Sequence, residues 1–128
     1  MSAMSDYLEN EILDHILGTG SYTMPSAVYI GLSTGSFGDD NSGTELSGSG
    51  YARVAATFNA AASGTADNAS AIQFAAATGS WGSVSHFGIF DASSAGNLLI
   101  HGAFASAKTI ENGDILKIDA GDLDISAD

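Results

Sequence analysis

Among the residues able to do chemistry, Gly31-Leu32-Ser33-Thr34-Gly35 comes first, because it matches the G-x-S-x-G pattern of serine hydrolases. That chemistry needs the serine on a strained strand-to-helix turn of a large parallel sheet, with an acid and a histidine following in the chain. Here Ser33 ends an alternating segment and runs into a glycine-rich stretch, so the pattern reads as a strand end and a turn. Asp39-Asp40-Asn41-Ser42-Gly43, with Glu45 nearby, carries oxygen ligands of the kind that hold calcium. Gly50, however, occupies the place of the twelfth-position carboxylate of an EF-hand loop. A second acidic group, Asp119, Asp122, Asp124 and Asp128, suits a cation or a basic groove on a partner. It suits equally a charged face that guards a sheet edge.

His15, His86 and His101 could ligate a metal only by converging, and the chain has no cysteine to help them. Structural histidines, each bonded to a backbone group or a tyrosine, fit this spacing better, so no metal and no cofactor is expected. Carboxylates are too numerous for any one pair to argue glycosidase chemistry. Asn68-Ala69-Ser70 fits the glycosylation triplet, which matters only in a eukaryotic secretory pathway. Trp81, flanked by Gly79, Ser80 and Gly82, is either core packing at a bend or an anchor displayed to a partner. Tyr51 and Arg53 fall on the same side of an extended segment. Arg53 then meets an acidic group on a neighbouring copy or makes a salt bridge within the chain.

Composition narrows the field of functions. The chain has 128 residues, room for one domain spanning 1–128 with a single core. The hydrophobic share is 45 % but the aromatic share only 9 %, and there are 16 glycines, so the core must be shallow and its turns glycine-shaped. Three basic residues (Arg53, Lys108, Lys117) against 15 acidic ones give a formal net charge of -12. Phosphate neutralisation needs clustered cations, so neither nucleic acid nor an anionic membrane surface is an expected partner. No apolar run approaches the ~20 residues of a membrane span. The first 17 residues carry four acids and no Lys or Arg, the reverse of a signal peptide's basic start. The expected course is a whole chain kept in a cytoplasm until it assembles.

The elements that must position these residues follow from periodicity. A helix is predicted over about 6–17, with Asp6 and Glu9 at capping-box spacing and Leu8, Ile12, Leu13, Ile16 and Leu17 on one stripe. Gly18 and Gly20 supply its stop. The β-rich part runs from about 26 to 128. Ala27–Ser33 alternates with Val28, Ile30 and Leu32 inward. Thr34–Gly50 is a long mobile loop, Tyr51–Phe58 a strand, Asn59–Ala69 a loop and Ser70–Ala75 a weaker strand. Val84–Asp91 and Asn97–Phe104 form a hairpin. If Phe90 faces Asn97, Phe87, Ile89, Leu98 and Ile100 share one face, and His86 lies opposite His101. Ile115–Ile118 and Leu123–Ser126 complete a mainly β fold: an antiparallel β-sandwich or jelly-roll-like barrel with one N-terminal amphipathic helix.

Several stretches together resemble a family of small tailed-bacteriophage virion proteins. They are Gly50-Tyr51-Ala52-Arg53, the run from Trp81 to Asp91, Gly96 to Gly102, Lys108-Thr109-Ile110 with Gly113-Asp114, and Ala120 to Ser126. Tyr7-Leu8-Glu9-Asn10 and Leu13-Asp14-His15 extend the resemblance to almost the whole chain. Members are often labelled tail-fibre proteins, and some look like head decoration (cement) proteins. The resemblance implies a non-enzymatic structural protein of the virion, with no catalytic residues to transfer. The first expectation is a cement protein on the outer capsid surface, bound to the major capsid protein and to itself, as a trimer. The alternative is a tail-fibre or tail-tip component that recognises the host through the Thr34–Gly50 loop. Tyr51, Arg53, Trp81, His86 and His101 are the candidates for making or shaping the contact.

Overall fold

A computed structural model describes residues 2–127. In chain order these form β1 (Ser2–Met4), α1 (Asp6–Leu17), β2 (Val28–Ser33), β3 (Val54–Ala56) and β4 (Thr65–Asp67). There follow β5 (Ile72–Gln73), β6 (Gly82–Phe90), β7 (Leu98–Ile110), β8 (Lys117–Ile118) and β9 (Asp124–Ser126). The fold is mainly β, and every pairing is antiparallel. One open sheet runs β1-β7-β6-β2-β3, while β4-β9 and β5-β8 are two-stranded ribbons. Because β1 and β3 are free edges, the described residues form a sandwich-like stack and no closed barrel.

The core follows from the register. Val54, Ile30, Ile89 and Ile100 lie in one row across β3, β2, β6 and β7, and Leu32 faces Phe87 in the next row. Alternation puts these side chains on a single face. Ile72, Phe74, Leu116, Ile118, Leu123 and Ile125, from the ribbons and their flanks, cover that face in one cluster. Ile30, Leu32 and Val84 are wholly buried, and each such side chain contributes about 1.5–3 kcal/mol. Loss of any one would open a cavity in a core that has few large groups to refill it.

The helix spans Asp6–Leu17, but its N-cap is Ser5 rather than Asp6. The Ser5 hydroxyl accepts from the Leu8 N–H and donates to the Leu98 carbonyl of β7, so a single side chain caps α1 and moors it to the sheet. Asp6 and Glu9 then occupy the first turn, where the helix dipole favours negative charge. Gly18 ends the helix at φ 82°. The predicted apolar stripe is only partly used: Leu8 is the sole buried residue of α1, while Leu13, Ile16 and Leu17 stay exposed.

Other expectations are corrected. In the β6–β7 hairpin Phe90 faces Leu98 and Ile89 faces Ile100, so Leu99 is an extra residue, a β-bulge. Leu98 thereby moves to the opposite face, where it packs with Phe37 and Phe90. His101 faces Gly88 and His86 faces Ala103, so the two histidines are not opposite one another. Ala-rich 59–69 is not all loop: β4 lies within it and pairs with β9. Ser2–Met4 adds an unforeseen edge strand beside β7, which continues to Ile110 rather than ending at Phe104. The strand expected over Tyr51–Phe58 shrinks to β3 plus an isolated bridge at Phe58.

Candidate functional site

The side of the sheet away from the main core is shaped by two glycines. Gly31 on β2 faces Gly88 on β6, leaving a shallow trough where two side chains would otherwise stand. A Cβ at Gly31 would lie 2.8 Å from the Phe90 ring and 2.9 Å from a Glu45 carboxylate oxygen. The segment between β2 and β3 fills this trough. Phe37 is buried there and meets Phe90 edge to face with ring centroids 5.6 Å apart. Backbone bonds from Gly43 to Phe37 and from Leu46 to Leu32 fasten the segment. The long loop expected to be mobile is instead pinned to the sheet.

Arg53 is the centre of the arrangement. Its guanidinium donates to both Glu45 oxygens at 2.9 and 2.7 Å, and to the carbonyls of Ala92 and Ala95 at 2.9 and 2.8 Å. Its carbon lies 3.6 Å from the Phe90 ring centroid. One side chain thus clamps the loop, the hairpin tip and an aromatic face, a use that suits the planar fork of arginine. Of the two readings open from sequence, the intrachain salt bridge is the one formed.

Tyr51 reaches the same carboxylate from the core side. Its hydroxyl donates to Glu45 and accepts from the Leu32 N–H at 2.9 Å. Burial, then the bond to Glu45, push the phenol well above its usual range. Its ring stacks on Phe74 and meets Trp81 edge to face at 5.6 Å. Trp81 is 6 % exposed and donates through Nε1 to the Ser49 carbonyl at 2.9 Å. Tyr51, Arg53 and Trp81 therefore come together as one internal brace. They set the shape of the 34–53 surface.

The histidines each have a separate partner. His101 Nε2 is 2.7 Å from Asp39, whose carbonyl also receives the Asp6 N–H. His86 Nδ1 lies 2.7 Å from the Ser85 hydroxyl, and His15 Nδ1 accepts from the Tyr22 N–H. Ser33 donates to the Thr44 carbonyl and accepts from the Gly35 N–H, although it faces His86 in the register. Its proton is thus directed at the backbone. The acids of the 39–45 stretch point to different partners too: Asp39 to His101, Asp40 to the Ser42 N–H, Glu45 to Arg53. The Ser42 bonds lower the Asp40 pKa. Asp119 lies 3.5 Å from Lys117, and Asp128 falls outside the described residues.

Sequence reasoning read Asn68 only as the first residue of a glycosylation triplet and missed its structural role. It is wholly buried, donates to the carbonyls of Ser70 and Asp119, and accepts from the Leu123 N–H. It holds the turn between β8 and β9 in place. A polar side chain in an alanine-rich stretch carries no local signal of such long-range bonds. Gly31 and Gly88 did carry one, as glycines inside otherwise alternating strands.

Five large apolar side chains are exposed among the described residues: Leu13, Ile16, Leu17, Met24 and Ile115, at 54, 70, 71, 81 and 52 %. The first three share the last turns of α1. Against known proteins, residues 3–126 match the family model described as Podophage GP4 fiber I protein gp80. No curated protein matches the chain.

Proposed function

The chain belongs to the podophage fiber I protein family, a family of bacteriophage virion structural proteins, and we propose that it is a fiber-type component of the particle. The match across residues 3–126 carries this reading. It takes up the alternative weighed from sequence, a tail-fibre component, ahead of the capsid-cement expectation. The protein works by contact between surfaces and does no chemistry. The bonding of Ser33 to the Thr44 carbonyl and the separate partners of the three histidines agree with that role. So does the Arg53–Glu45–Tyr51 brace, which stiffens a surface instead of opening a cleft. Copies mounted side by side on a particle would gain avidity from many modest contacts.

Head decoration is the second reading, favoured by the absence of any repeated shaft motif in the sequence and by its acidic balance. Counting copies in purified particles against the major capsid protein, on a quantitative gel, separates the two. A handful of copies is the expected outcome for a fiber component. A count near that of capsid subunits would overturn it in favour of decoration.

A further inference from the structure

The C-terminal half of α1 carries an exposed apolar ridge. The Ser5 cap, the Asp6 bond to Asp39 and buried Leu8 anchor the first turn. Beyond it, Leu13, Ile16 and Leu17 follow Glu9 at the i+4, i+7 and i+8 spacing of one helix face, and all four are exposed. Twelve residues of helix are marginal in water by propensity alone, and three large side chains at more than half exposure add an unmet hydrophobic driving force. Charge says what can cover them. Asp6 and Glu9 extend the same face toward the N-terminus, and Asp14 flanks it. The first lysine or arginine in the chain is Arg53.

We infer that this ridge seats in an apolar groove rimmed by lysine or arginine on a different protein of the particle, in helix-in-groove fashion. A second copy of this chain is the wrong occupant on charge. It would bring another net charge of -12. Of its three cations, Arg53 is enclosed by Glu45 and the hairpin tip, and Lys117 lies beside Asp119. Lys108 alone stands outside these contacts among the described residues. A basic rim opposite Glu9 would both steer the encounter and fix the register of the ridge. The inference rests on the virion-component reading and adds where the chain is mounted and on what kind of surface.

The test uses phage lacking this gene, grown in cells that supply the full chain as wild type, as I16D/L17D or as E9K. Copies per purified particle are then counted. The three side chains are exposed, so the purified variants should keep the wild-type circular dichroism spectrum, with urea midpoints lowered only by the reversed charge at the helix ends, which is checked first. Wild type should mount fully. I16D/L17D should fall at least tenfold, and E9K at least threefold, with added salt lowering retention of the wild type on washed particles. Folded variants that mount like wild type would overturn the ridge as the docking face. So would sedimentation showing that wild type self-associates and that I16D/L17D abolishes it, since a second copy would then be the occupant. If wild type itself is absent from particles, the virion-component reading fails, and this inference with it.

Discussion

Arg53 shows how one cation in a strongly acidic chain can be withdrawn from the surface. Its side chain is 7 % exposed and that of Glu45 23 %, so the pair is too dry to count as a surface ion pair yet not wholly cut off from water. Removing one partner of a buried pair costs about 3–5 kcal/mol. The partial hydration of Glu45 lowers that, and R53M should lose about 2–4 kcal/mol in urea unfolding. E45Q in the same background should recover part of the loss, because the stranded charge is then gone. Tyr51 adds a pH dependence. Its phenol is raised in the folded state by burial and by Glu45, whereas in the unfolded chain it ionises near pH ~10. The unfolded form therefore releases its proton first. The contribution is fully present below about pH 10 and is lost as pH rises toward the folded value. Urea midpoints measured from pH 8 to 11.5 should decline in wild type and decline less steeply in Y51F, which starts from a lower midpoint because the Leu32 N–H loses its acceptor.

Among the elements, the short ribbons depend on side chains more than on their own ladders. β8 and β5 pair over two residues and β9 and β4 over three, too few to be stable alone. Asn68 joins them by bonding to the Asp119 carbonyl and the Leu123 N–H on either side of the β8–β9 turn. N68A would leave these buried groups unmet at about 2–3 kcal/mol. N68D would keep the acceptor but aim a carboxylate at two carbonyls, so it should be no better. Amide exchange by mass spectrometry should show the loss concentrated in residues 117–126. The β6–β7 hairpin illustrates why register escaped the sequence. Alternation alone puts Ile89 and Leu98 on one face, but the bulge at Leu99 splits them and gives Leu98 to the Phe37–Phe90 cluster. A bulge leaves no compositional mark when the extra residue is another leucine.

At the scale of the molecule, charge and apolar surface pull in different directions. A formal net charge of -12 on 128 residues makes copies of the folded chain repel one another and strains it internally. Two ion pairs of lysine or arginine occur among the described residues, and the more exposed, Lys117–Asp119, spans 3.5 Å. Screening therefore has much repulsion to relieve and little attraction to weaken. The thermal midpoint should rise by roughly 2–5 °C between ~20 mM and ~0.5 M sodium chloride. A falling midpoint would mean that the few ion pairs matter more than the net charge.

The mainly β class, the helix over 6–17 and the virion family were legible in the residues themselves. Each rests on local signals: period-two alternation, a capped 3.6-residue stripe, and runs of matched motif along the chain. The lopsided charge was legible in the same way, since composition fixes it. The tertiary structure decided what local signals cannot encode. It turned Arg53, Tyr51 and Trp81 inward, because Glu45, Phe90 and Ser49 reach them from distant parts of the chain. It pinned the 34–50 segment, because Gly31 and Gly88 face each other only once two strands pair. It left Leu13, Ile16 and Leu17 uncovered, because the helix turns buried Leu8 and half-buried Ile12 toward the body and these three away from it. An apolar stripe states that something must cover it; only packing shows whether the same chain supplies the cover.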